Sequence, residues 1–103
     1  MVEKKFFKDK YPSEEYYDVF DYTDSLEEGE DIASAVISVI DMSDSSIVTD
    51  TFTNVAYQAI EDGLVYVWHR AGSSGHNYAT TCIAKSSVHP EKTMKQIGYK
   101  QVL

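Results

Sequence analysis

The sequence predicts an all-β domain, a sandwich of about seven short antiparallel strands. Three observations predict it. Short segments alternate apolar and polar residues with the two-residue period of a half-buried strand, most clearly "LVYVWHR" (64–70) and "YATTCIA" (78–84). Turn chemistry separates them at roughly 8–15-residue intervals, as in a sandwich. Helical periodicity is almost absent.

Taken in order, "MVEKKFFKDKYPSEE" is charged and carries Pro12, which leaves it little to bury. Residues 1–14 therefore read as a flexible arm and residues 15–103 as the folded domain. "EYYDVFDY" (15–22) is aromatic enough for an edge strand. "DYTDSLEEGEDI" fits one short helical turn, with Thr23 or Asp24 as N-cap and Gly29 as terminator. In "IASAVISVI" (32–40), Ala33, Ala35, Ile37 and Val39 share one face. "MSDSSIV" is a turn, and "TDTFTNVAYQAI" (49–60) reads as one or two strands. Asp62-Gly63 signals a tight hairpin into 64–70. There Leu64, Tyr66 and Trp68 alternate with Val65 and Val67, and Trp68 is expected as a core anchor. In 78–84, Tyr78, Thr80, Cys82 and Ala84 share a face. "KSSVHPEK" is a loop, and "TMKQIGYKQVL" is a last strand, expected to bulge at Gly98.

The totals set limits. The 103 residues suit one domain large enough for a core without staples. A net charge of −8, from 17 acids against nine Lys and Arg, argues against nucleic acid and anionic membranes as partners. The lone cysteine, Cys82, cannot form an internal disulfide and fits a reducing compartment. No apolar run is long enough for a transmembrane helix, and the N-terminal stretch lacks the apolar segment of a signal peptide, so a soluble, non-exported protein is expected.

No motif carries chemistry. Gly72-Ser73-Ser74-Gly75 has neither the spacing of a nucleophile elbow nor that of a phosphate loop. Its glycines suit a strand-to-strand turn that delivers Tyr78, whose hydroxyl can return to upstream backbone. That is the tyrosine corner of immunoglobulin-like sandwiches, and it makes the expected fold an immunoglobulin-like β-sandwich. His69, His76 and His89 lack a ligand spacing and read as exposed residues. "DMSDSSIVTD" fails the EF-hand pattern, with Ser46 and Phe52 where glycine and glutamate belong. Cys82 is a small core residue. No catalytic, cofactor-binding or metal-binding residue is expected, and no enzyme.

Several stretches together resemble a known family. Lys8 and Asp9 lead to Asp21-Tyr22-Thr23-Asp24-Ser25-Leu26, then Gly29-Glu30-Asp31-Ile32. Val67-Trp68 precedes Gly72 and Gly75, with Tyr78 and Cys82 on the next strand. In order and spacing these resemble small immunoglobulin-like proteins of tailed bacteriophages, the fibre–tail adaptor proteins. His69 and Arg70 depart from the family's small or apolar residues there, as does "KSSVHPEK".

The resemblance implies a non-enzymatic structural protein of the virion, made in the bacterial cytoplasm. It would join tail or neck components to fibres or neighbouring rings, and be a ring itself when assembled. Exposed edge strands, an N-terminal arm and the last strand would make the contacts. Phe6, Phe7, Tyr11, Tyr16, Tyr17 and Phe20 are the candidate anchors; Ile37, Val39, Trp68, Tyr78 and Cys82 are the candidate core. Alternatives are a capsid-decorating or head-completion protein, or a receptor- or carbohydrate-binding module stacking sugars on Trp68 and tyrosines.

Overall fold

The computed structural model describes residues 3–88 and 92–103; His89 lies outside the described residues. Among the described residues there are eight strands: β1 (Glu3–Phe6), β2 (Tyr16–Asp21), β3 (Ile32–Asp41), β4 (Ser46–Ile47), β5 (Ala59–Glu61), β6 (Leu64–His69), β7 (Asn77–Ser86) and β8 (Thr93–Gln101). They form a five-stranded sheet, β1-β8-β7-β3-β4, and a three-stranded sheet, β2-β6-β5, packed as an all-β sandwich.

The plan departs from about seven antiparallel strands at the N-terminus, where β1 pairs with β8 in parallel. Residues 3–14, expected as a separate arm, lie against the body. Lys5 donates to the Val19 carbonyl at 2.9 Å, and so joins an edge strand of each sheet. The Lys10 amide donates to Gln101 O at 3.1 Å, and the Leu103 amide to Lys10 O at 2.8 Å. The Lys10 side chain is fully buried, its ammonium held by the carbonyls of Tyr11 and Ala71. The segment is held by its backbone pairing with β8 and by lysine ammonium groups donating to main-chain carbonyls. β8 is consequently an interior strand, and the edges belong to β1, β4, β2 and β5. The last strand therefore offers no free edge.

Two apolar clusters fill the interior. One gathers Phe20, Tyr22, Val65, Val67, Cys82 and Ala84. The other gathers Val39, Phe52, Tyr78 and Val102. Ile37 is half-buried and packs against both. A bulge between Ile32 and Ser34 resets the phase of β3, so Ile32 is buried and Ala33 is exposed. In β6 the inward phase is Val65, Val67 and His69. Trp68, expected in the core, is therefore on the outer face, because its neighbours in sequence occupy the inward positions. His69, expected exposed, is fully buried.

The 49–60 segment is not a plain strand. A one-turn helix, α1 (Thr49–Phe52), and a 3-10 turn at Val55–Tyr57 precede the three residues of β5. The Thr49 hydroxyl accepts the Val39 amide at 3.0 Å, and Asn54 caps Ala56, so side chains take the backbone groups a ladder would have used. The Asp62-Gly63 hairpin has both residues at positive φ, +52° and +79°, as a two-residue turn requires.

Gly98 pairs in register with Thr80, without a bulge. A Cβ there would overlap the ring of Phe7, which crosses over it and meets Phe20 edge-on at 5.2 Å. The glycine makes room for an aromatic rather than bending the strand. Gly98→Ala is expected to cost about 1–3 kcal/mol by overpacking, measured by urea unfolding. On a Phe7→Ala background the same change should cost clearly less; equal costs would mean the ring is not what the glycine accommodates.

Candidate functional site

Three places hold the residues that chemistry or binding could use: a buried polar cluster, the Gly72–Gly75 turn, and the exposed aromatics. The cluster lies between the two sheets. Asp18 on β2 and His69 on β6 face Thr80 on β7 and Lys100 on β8. His69 Nδ1 is 2.6 Å from Asp18 Oδ2, and His69 Nε2 is 2.9 Å from Thr80 Oγ1. Lys100 Nζ sits 2.9 Å from the same Asp18 oxygen. One tautomer satisfies every partner: Nδ1–H donates to Asp18, and Nε2 accepts the Thr80 hydroxyl. Burial holds the imidazole below its ordinary pKa against the opposing pull of Asp18. The cluster is then a neutral imidazole beside one balanced ion pair.

Hydroxyl, imidazole and carboxylate in a row have the layout of a nucleophilic triad. Here Thr80 and His69 are fully buried, so no substrate reaches the hydroxyl in this structure. A cleft of about 600 Å³, bounded by Phe6, Met42, Asn77 and Tyr99, touches Lys100 but none of the other three. The arrangement acts as a clamp between sheets. Cys82 is equally enclosed, its thiol pushed up to about 11 by burial, so it carries no thiolate at neutral pH.

The Gly72–Gly75 turn is structural in its contacts. The Tyr78 hydroxyl accepts the Ser73 amide at 2.8 Å, while the ring stacks on Phe52 at 4.1 Å. Gly72, at φ +94°, abuts Val102 and Phe52, with no space for a side chain. His76 bonds Asp41 at 2.7 Å. Among the described residues no group of three or more metal-ligating side chains comes together, and no helix is long and apolar enough to cross a membrane.

The six candidate anchors separate. Phe20 is fully buried, because it occupies the inward phase of β2, and is core rather than contact. Phe7 is half-buried over Gly98. Tyr16 is half-buried beneath the Lys100 ammonium, 4.4 Å from its ring centroid. Phe6, Tyr11 and Tyr17 are exposed, by 85%, 60% and 44%. Sequence reasoning missed the partners of Tyr17. Its ring meets Trp68 edge-on at 4.9 Å, and Tyr57 meets Trp68 at 5.3 Å. The Trp68 indole N–H donates to Glu15 at 3.0 Å. The outward phase of β6 and the aromatic next to Asp18 were the available signals.

The structure is thus an all-β sandwich with a buried central polar cluster and with aromatics exposed on its edges and outer faces. Residues 10–94 match the family described as podophage GP4 fiber-tail adaptor protein gp77, and the chain belongs to that family. No curated protein and no solved structure was found to match it. As a family member the chain is a structural adaptor component of a phage virion and binds other virion proteins.

Three outcomes are expected. Asp18→Asn leaves Lys100 buried without its countercharge and should cost about 3–5 kcal/mol. Asp18→Leu with Lys100→Met should recover only part of it in chemical denaturation, because the His69 Nδ1–H then loses its acceptor at a cost of about 1–3 kcal/mol. The His69 pKa is depressed in the folded state, so its contribution is complete above the unfolded value of 6.5 and is lost as pH falls below it toward the folded value. Wild-type stability should drop there by up to about 1.4 kcal/mol per pH unit, and His69→Gln should flatten that slope; an unchanged slope would assign the titration elsewhere. Trp68→Ala should cost under about 2 kcal/mol, against about 3–5 for a core tryptophan, and acrylamide should quench Trp68 in the folded protein.

Proposed function

We propose that this chain joins tail or neck components to fibres or a neighbouring ring through the N-terminal side of its sandwich. The single observation that carries the reading is the family match over residues 10–94. The surface supports it. Both edge strands on that side, β1 and β2, come from residues 3–21, and main-chain groups there suit strand addition by a partner. Phe6 and Tyr11 beside them are exposed aromatics of the kind that anchor interfaces. In the particle the chain takes the cyclic symmetry of the ring it binds. Its chemistry is recognition rather than catalysis.

The segment's contacts rule out simple deletion as a test, since removing residues 1–14 also removes the β1 pairing and the buried Lys10. Point changes separate binding from folding. Phe6→Ser with Tyr11→Ser should leave the unfolding midpoint nearly unchanged and deplete the protein from purified virions at least tenfold, counted by quantitative mass spectrometry. Wild-type copies should be a small multiple set by a tail or neck ring. Copies in the hundreds would move the protein to capsid decoration, and full incorporation of the double variant would remove these two aromatics from the interface.

A further inference from the structure

The two outer faces of the sandwich carry opposite charge around apolar centres. On the five-stranded sheet the register aligns Phe6, Tyr99, Ala79, Ile40 and Ile47 in one row across all five strands. Phe6 and Ile47 are exposed by 85% and 79%, and Val36, four residues from Ile40 along β3, by 67%. The charged residues at outward positions of β1, β3, β7 and β8 are Lys4, Lys85 and Lys95; no acid is among them. That is notable in a chain with 17 acids and nine bases.

The three-stranded sheet shows the converse. Its outward positions hold Tyr17 and Trp68, with Tyr57 packed beside them. The charges at that face are Asp21 and Glu61 at outward positions and Glu15 on the indole N–H, against one cation, Arg70, which directly follows His69 and donates to the Asp50 carbonyl. No lysine or arginine stands at an outward position within β2, β5 or β6.

We propose that copies of this chain stack front to back, the lysine-bearing face of one on the carboxylate-bearing aromatic face of the next. The occupant is a second copy because one chain supplies both halves of the match: an apolar centre on each side, three lysines on one and three carboxylates on the other. The two faces differ, so the contact is heterologous. Repeated, it generates a ring or an open filament rather than a closed dimer. This deepens the adaptor reading, and rests on it only for closure into the particle's ring; stacking itself is a property of the free chain. The three-stranded face limits the contact: strands spaced about 4.8 Å apart make it roughly 10 Å wide between its outer strands, near 250 Å² per partner. That lies below the size of stable interfaces, so association should be weak and depend on concentration and on salt.

The experiment is sedimentation velocity of the purified chain up to about 1 mM, at low salt and at 1 M salt, where the screening length falls to about 3 Å. Oligomers beyond the dimer are expected at low salt and should dissociate at least tenfold more readily at high salt. Lys85→Glu with Lys95→Glu should abolish association, as should Glu15→Lys with Glu61→Lys. Mixing the two variants, or combining all four changes in one chain, should restore it. Circular dichroism melts confirm that each variant is folded. A monomer at every concentration, a closed dimer, or oligomers indifferent to reversal would overturn the stacking. So would a monomeric chain whose lysine reversals block virion incorporation, which would assign that face to another virion protein. None of these outcomes bears on whether the chain is a virion adaptor, which copy number decides.

Discussion

One carboxylate oxygen ties the two sheets together at the centre of the sandwich. Asp18 Oδ2, on the edge of the three-stranded sheet, accepts from His69 in its own sheet and from Lys100 in the other. Thr80 completes the crossing through the far nitrogen of the imidazole. The apolar interior is divided into two clusters, and along β7 the alternation Tyr78, Thr80, Cys82 places the clamp between them. Apolar contact alone would tolerate sliding of one sheet over the other, whereas a buried, shared acceptor has one satisfied position. A buried ion pair adds little net stability over a well-packed apolar substitute. What it adds here is a polar contact between the sheets that is satisfied in one geometry.

The clamp also accounts for the N-terminal segment. Lys100 reaches from Asp18 to the Lys8 carbonyl and lies over the Tyr16 ring. Lys5 and Lys10 extend the same logic to Val19 and to the loop at Ala71. Three lysines, each bonded to main-chain carbonyls, draw residues 3–14 onto the body. Burial and the neighbouring Lys100 charge lower the Lys10 pKa, which marks the cost of enclosing that ammonium. The carbonyl cage and the Phe52 ring 5.9 Å away offset it.

Much of this was legible from alternation. β3, β6 and β7, the Asp-Gly hairpin and the returned Tyr78 hydroxyl follow from period two and turn chemistry, while β2 followed from its aromatic content and β8 from an imperfect alternation. The clamp was not, because each member looks like surface taken alone. Yet each sits in its strand's apolar phase: His69 after Val65 and Val67, Asp18 before Phe20, Lys100 before Val102. Reading the phase before the residue type would have found three ionisable groups pointing inward. Trp68 failed for the same reason in reverse, since size suggested core where phase dictated the outer face. The parallel docking of β1 had no local signal at all. It depends on a backbone ladder with β8, more than ninety residues away, and on the Lys5 bond to the Val19 carbonyl. At the candidate site, exposure of Phe6, Tyr11 and Tyr17 against burial of Phe20 is likewise a matter of phase and of which strand lies at an edge.

Phase also decides what the surface can recognise. In a strand, a slip of one residue exchanges every inward side chain for its outward neighbour. A slip in β8 would bury Tyr99 and Lys95 and expose Lys100 and Gln96, and a slip in β6 would bury Trp68 and expose His69. The division of charge between the two outer faces therefore follows from whatever fixes the register, and no total charge reveals it. Asp18, His69, Thr80 and Lys100 lie on four strands and are satisfied in one register only. The same buried contacts that tie the sheets together thus determine which aromatics, lysines and carboxylates the virion's other proteins, or another copy of this chain, will meet.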